Sequence, residues 1–215
     1  MSVPANRPLI VTDCDEVLLH MVVPFRHWLD EVHGVHFEMR GQEFTDALRH
    51  KDSGDILERE LVWTLLNAFF ATEMHRQQPI VGAVEALARL SRIADIEVLT
   101  NIGEQAHAGR VEQLRMLGIE HPVHWNQGGK GAPLARIVAR RQPSVAVFID
   151  DLGIHHQSVA KHAPHVWRLH MIGEPEIAGS VPAEADAHAR IDDWASAEAW
   201  IITRFDDAIP APAAV

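Results

Sequence analysis

The chain has 215 residues, 47% hydrophobic and 23% charged, which suits one globular domain or one domain carrying a sizeable insertion. Its net charge of −11 argues against a nucleic-acid polymer as the main partner, and its single cysteine, Cys14, rules out a disulfide framework within the chain. No apolar run approaches the ~20 residues that cross a bilayer, and no long apolar segment precedes the first acids, so neither a membrane span nor a signal peptide is expected. The expected setting is cytoplasmic.

The first element is the apolar run PLIVTD (8–13), followed at once by Asp15 and Glu16. Acids at this place have a bland reading, a turn rich in helix-capping residues, and a chemical one, carboxylates gathered around a metal. Residues 20–80 then read as helix only. PFRHWLDEVHG (24–34) places Phe25, Trp28, Leu29 and Val32 on one face and stops at Gly34. RHKDSGD (49–55) is a polar joint, and residues 55–75 form a long helix with an aromatic-rich face. Arg26, Arg49 and Lys51 lie in this stretch, where charged helix faces are normally just solvated.

Beyond residue 80 strand and helix alternate. A helix over 84–93 precedes the strand IEVLTN (96–101), and a helix over 108–118 ends at Gly118. The weaker strand PVHWN (122–126) leads through the glycine-rich QGGKG (127–131) to a helix over 133–141. Strands follow at VAVFID (145–150) and HVWRLH (165–170), and Asp192 or Asp193 caps a last helix over 194–205. The strands are β-branched and do not alternate, as strands covered on both faces do. The expected fold class is α/β, a Rossmann-like parallel sheet with a small all-helical cap. The core comprises 1–19 and 81–207, the cap 20–80, and a loose tail 208–215.

In a parallel sheet, ligands gather at the carboxyl ends of the strands. Asp13 and Asp15, Thr100 and Asn101, Lys130, and Asp150 and Asp151 all fall at such ends. Several carboxylates in one crevice repel one another and push their pKa values up; a divalent cation relieves this. Mg²⁺ takes hard oxygen ligands and keeps room for phosphate, and Lys130 adds a second positive charge. The chemistry expected is attack on phosphorus by Asp13, proton transfer by Asp15, and phosphoryl binding by Thr100, Asn101 and Lys130, with Asp150 and Asp151 at the metal. Cys14 points away from the two acids by strand alternation and is read as a packed thiol. His155 and His156 follow the last strand closely and are read as packing or surface residues, with a rim contact to substrate as the alternative.

LIVTDCDEVLL, IEVLTN, QGGKGAPLARI and VAVFIDDLG resemble, in order, the four motifs of the haloacid dehalogenase superfamily, with 87, 30 and 20 residues between Asp13, Thr100, Lys130 and Asp150. The resemblance covers roughly residues 8 to 170, and residues 80–101 also resemble the 5′(3′)-deoxyribonucleotidase branch. It implies the same roles, with Mg²⁺ held by Asp13, by the backbone carbonyl of Asp15 and by an acid of the last motif, and a cap that closes over a small phosphorylated metabolite. Asp15 favours phosphatases over dehalogenases, which lack that aspartate and the metal. Glu16 departs from the pattern, standing where the family usually has glycine. It could add a ligand, occupy substrate space or point outward. The expectation is an enzyme, a phosphoric monoester hydrolase. The alternatives are a phosphotransferase or mutase of the same superfamily, and a ligand-binding scaffold without turnover.

Overall fold

The computed structural model describes residues 6–39 and 44–212. Residues 1–5 of the expected core, 40–43 of the expected cap and 213–215 of the expected tail lie outside the described residues. In chain order the core begins with β1 (Leu9–Thr12). The insertion follows as α1 (Val22–Trp28), β2 (Val35–Phe37), β3 (Leu48–His50) and α2 (Arg59–Thr72). The core resumes with α3 (Ala83–Leu90), β4 (Asp95–Asn101), α4 (Glu104–Met116), β5 (Val123–Asn126) and α5 (Gly131–Arg141). It continues with β6 (Ala146–Asp150), α6 (Gly153–His162), β7 (Trp167–His170), α7 (Pro175–Ala178), β8 (Ala189–Arg190) and α8 (Trp194–Asp207).

Six strands form one parallel sheet in the order β5-β4-β1-β6-β7-β8. The chain winds from β1 through β4 to β5, then returns to the other side of β1 with β6. The crevice at the carboxyl ends of β1 and β6 is therefore a topological switch point. Period-two alternation divides the strands' side chains. Ile10, Val98, Val147 and Ile149 pack with Leu87, Leu114, Trp194 and Ile201 of α3, α4 and α8. Leu9, Val11, Leu99 and Phe148 pack on the other face with Leu134, Ile137 and Val159 of α5 and α6. Burial on both faces explains why these strands read as unbroken apolar runs.

The insertion has an apolar cluster of its own. Phe25, Trp28, Leu29, Phe37, Leu48 and Phe69 are buried together, with Phe25 and Phe69 edge-to-face at 5.2 Å. The expectation of an all-helical insertion is corrected here: β2 and β3 pair antiparallel, Val35 with His50 and Phe37 with Leu48. α1 passes through a π-turn and stops at Gly34 in the left-handed region, φ 61°. Val35 and Phe37 then turn inward while His36 is exposed, an alternation too short to stand out in the sequence. Of the polar 49–55 stretch, Arg49 and His50 belong to β3 and 51–55 turn back beside it so that Arg49 bridges Ile56; it is not a joint between helices, and α2 starts at Arg59.

Within the described part of the expected loose tail, 208–212, the chain is anchored to the core. Asp206 and Asp207 extend α8, the Trp167 indole donates to the Ile209 carbonyl at 2.8 Å, and the Ala211 amide donates to the His165 carbonyl at 3.0 Å. Ala211 is buried. Among the described residues, no helix is long and apolar enough to cross a membrane.

Helices α5 and α6, which follow Lys130 and Asp150–Asp151, meet at Gly131. Its amide donates to Ser158 Oγ at 3.0 Å, and a Cβ there would lie 2.0 Å from the Ser158 carbonyl oxygen, which belongs to α6 backbone. Gly131→Ala must push α5 and α6 apart. It should cost about 2 kcal/mol, which for a domain of this size lowers Tm by ~4–8 °C. An unchanged thermal melt would show that the two helices are not in this close register.

Candidate active site

The residues singled out in the sequence converge at the carboxyl ends of β1, β4 and β6. Asp13 follows β1 and is fixed by its amide, which donates to the Ile149 carbonyl at 2.8 Å. Its carboxylate accepts from the Cys14 amide at 2.7 Å through Oδ1 and faces Lys130 Nζ at 2.7 Å through Oδ2. Lys130 stands at the start of α5, fully buried, and its Nζ also lies 2.7 Å from Asp150 Oδ2. The second oxygen of Asp150 accepts the Leu152 amide at 2.9 Å. Asp151 completes the group: one carboxylate oxygen from each of Asp13, Asp150 and Asp151 lies within 4.8 Å of the others.

Charge explains what this group lacks. Burial pushes the Asp13 carboxyl above the usual range, Lys130 opposes that, and Asp150 adds repulsion. Asp151 is raised further, by desolvation first and by Asp150 and Asp13 next. The ammonium of Lys130, flanked by two carboxylates, is held more firmly protonated than an ordinary lysine despite its burial. Three carboxylates and one ammonium leave an excess of negative charge, and the donors are all oxygen. That set fits a small hard divalent cation. Thr100, fully buried at the end of β4, presents a hydroxyl oxygen with no hydrogen-bond partner. A buried hydroxyl in that state costs free energy until a ligand oxygen meets it.

Two imidazoles fix the backbone of the last acids. His156 Nε2 donates to the Asp150 carbonyl at 3.0 Å, and His170 Nε2 donates to the Asp151 carbonyl at 2.9 Å. Burial lowers both; His156 falls to about 3, so it stays neutral and acts as a fixed donor. His155 is buried as well and meets Asn101 Nδ2 at 3.3 Å. The expectation of packing roles for both histidines holds, and a surface role does not.

Three residues stand differently from what the sequence leads one to expect. The carboxylate of Asp15 is not in the acid cluster. It accepts from Arg110 Nη2 at 2.9 and 3.1 Å and from Gln77 Nε2 at 2.7 Å, so only its backbone carbonyl remains as a candidate donor to the cation. Asn101 braces the loop before Lys130, donating to the Gly128 carbonyl at 2.9 Å and accepting from Asn126 at 2.9 Å. Glu16 is not a member of the Asp13–Asp150–Asp151 group and does not point outward. It is buried, and its Oε1 accepts the amides of Met21 and Val22 at 2.8 and 2.6 Å, closing the first turn of α1. Its φ of 60° is left-handed, which is why glycine suits this position.

Cys14 is a packed thiol, as expected: it is buried in the core, burial pushes it up to about 12, and Arg110 donates to it at 2.8 Å. Arg110 itself is not evident from the motifs. It is fully buried one turn before Leu114, on a helix that is otherwise polar and carries no apolar stripe, so nothing in the local sequence marks it. The cationic residues of the insertion are engaged at the surface, Arg26 with Glu176 at 2.8 Å and Lys51 with Asp30.

No protein-family model matches the chain, and no curated protein matches it by sequence. Solved structures do match it in fold. A haloacid dehalogenase-like family hydrolase from Streptococcus pneumoniae superposes with a TM-score of 0.62 at 12% identity, over 90% of this chain and 97% of that one. A protein from Bacillus subtilis that carries the name HAD-hydrolase and is bound to magnesium gives 0.64 at 11% identity, over 91% and 99%. A HAD-superfamily hydrolase of subfamily IA from Geobacter sulfurreducens gives 0.56 at 15% identity, over 90% and 99%. The chain thus has the haloacid dehalogenase fold.

The raised acids set a pH dependence. A carboxyl whose pKa is higher folded than unfolded makes the fold lose stability as the pH climbs from the unfolded value to the folded one. Without a cation, stability should therefore fall as the pH rises above the ordinary carboxylate range, and Mg²⁺ should restore it. Mg²⁺ at ~100 times its Kd adds ~2.7 kcal/mol. Asp151→Asn should raise stability in chelator by about 1 kcal/mol and abolish the Mg²⁺ shift in Tm. A Mg²⁺ shift that survives Asp151→Asn places the ion elsewhere.

Proposed function

We propose that the protein is a magnesium-dependent phosphatase that hydrolyses a small soluble phosphate monoester through an aspartyl-phosphate on Asp13. The observation that carries this reading is the Lys130 ammonium held 2.7 Å from both Asp13 and Asp150, together with the partnerless Thr100 hydroxyl near the end of β4. The hydrolase names of the fold relatives, and the magnesium bound to one of them, support it.

An Asp13 carboxylate oxygen attacks phosphorus as the bond to the leaving oxygen breaks. Asp15 delivers a proton to that oxygen. It then takes a proton from the water whose oxygen attacks the aspartyl-phosphate, releasing phosphate and restoring Asp13. Lys130 and Thr100 hold the phosphoryl oxygens and meet the charge that develops on them. Asp13, Asp150, Asp151 and the Asp15 carbonyl would hold Mg²⁺, which when bound supplies the positive charge that lets a carboxylate approach a phosphate dianion.

The Asp15 carboxylate is held by Arg110 and Gln77, so it must leave Arg110 to reach the leaving oxygen. Gln77, between the insertion and α3, ties the same carboxylate to the cap, so a movement of the cap would release that second contact. Transfer to a second hydroxyl is separated from hydrolysis by incorporation of labelled water oxygen into the phosphate product.

Hydrolysis of p-nitrophenyl phosphate should require Mg²⁺ and vanish under chelation. Asp13→Asn should bring it to background with the far-UV spectrum unchanged, and Asp15→Asn should lower it by ~10²–10⁴-fold. Full metal-dependent activity in Asp13→Asn would remove Asp13 from its role.

A further inference from the structure

Glu16, His20 and Glu174 form a second cluster, and the phosphatase reading does not use it. One ligand atom from each lies within 4.8 Å of the others. His20 Nδ1 sits 2.8 Å from Glu174 Oε2, a span that neighbouring ligands of one ion with ~2.1 Å bonds readily cover. Glu16 is only 1% exposed. Its Oε1 is taken by the Met21 and Val22 amides, while its Oε2 is buried with no partner at all.

Glu174 is arranged alike. Its Oε1 accepts the Glu176 amide at 3.0 Å at the start of α7, leaving Oε2 to the cluster. Backbone donors thus orient both carboxylates, which is how metal ligands are usually held from behind. Two buried carboxylates with one imidazole carry a charge that a divalent ion cancels.

Access exists on one side. His20 and Glu174 stand on the wall of a cleft of about 320 Å³ between the insertion and the core, with Val23, His27 and Arg76 also lining it. Arg76 is occupied by Glu31 and Glu73 at 2.9 and 2.6 Å, so it does not neutralise the cluster.

We propose that Glu16, His20 and Glu174 bind a divalent transition-metal ion, at a site distinct from the Asp13–Asp150–Asp151 cluster. Mixed nitrogen and oxygen donors select zinc or manganese over magnesium. Three protein ligands leave a coordination position that faces the cleft, as in metal sites that accept a water or a ligand oxygen. The site does not depend on turnover at Asp13. It accounts for a buried glutamate at a left-handed position that would otherwise be best served by glycine.

The test is titration of the metal-stripped full chain with Co²⁺, read by visible absorption and calorimetry, in saturating Mg²⁺ so that the aspartate cluster is filled. One equivalent of Co²⁺ should bind. His20→Ala and Glu16→Gln should each weaken it by at least ~10-fold, while Asp150→Asn should leave it unchanged and weaken Mg²⁺ instead. Glu16→Gln keeps an oxygen for the Met21 and Val22 amides, so its fold should survive, which circular dichroism checks. The proposal is overturned if no equivalent binds beside Mg²⁺, if both ligand variants bind like the wild type, or if Asp150→Asn removes the Co²⁺ signal.

Discussion

An ammonium group buried between two carboxylates is the constraint on which this molecule is organised. Lys130 has no exposed surface, and neither does Asp150. Taking such charges out of water costs several kcal/mol per ion, and a well-packed apolar trio of the same volume would serve stability as well or better. Stability therefore does not account for the arrangement. A grouping of this kind is what a site for an anion requires: fixed positive charge in a water-poor pocket, with acids to hold the rest of the positive charge the chemistry needs.

The fold supplies that geometry through its winding. β1 and β6 are neighbours in the sheet yet distant in sequence, so Asp13 and Asp150 meet where the winding direction reverses. Lys130 enters from the turn before α5, a helix that Gly131 allows to lie against α6. Neutral imidazoles from α6 and β7 then pin the carbonyls of Asp150 and Asp151, so that two acids repelled by each other cannot swing apart. The Thr100 hydroxyl, near the end of β4, and Oε2 of Glu16, a member of the second cluster, are buried oxygens without a partner.

Much of this is legible in the sequence because strand ends are marked chemically. An apolar run that stops at an acid, as at Ile149–Asp150 or Thr12–Asp13, declares both the strand and the crevice. The residues of the acid cluster are readable for the same reason: they follow strands directly. What the sequence hides depends on side-chain direction and on long-range partners. Asp15 looks like a fourth member of the acid cluster, but Arg110, 95 residues away, draws its carboxylate elsewhere. Glu174 and His20 belong to loops with no periodic pattern, so nothing local announces that they meet Glu16. The β2–β3 hairpin is hidden by its three-residue strands, which are too short to show a period. The composition of the tail does not reveal that Trp167 and His165 hold Ile209 and Ala211.

The central claim is that Asp13 becomes covalently bonded to phosphorus. The most direct measurement is acid-quenched reaction with a phosphate monoester in Mg²⁺, followed by peptide mass mapping. The account predicts a labile phosphoryl adduct on the peptide containing Asp13, present during turnover and lost on mild base treatment. Steady phosphate release with the adduct on another residue, or with none trapped under any quench, would contradict it.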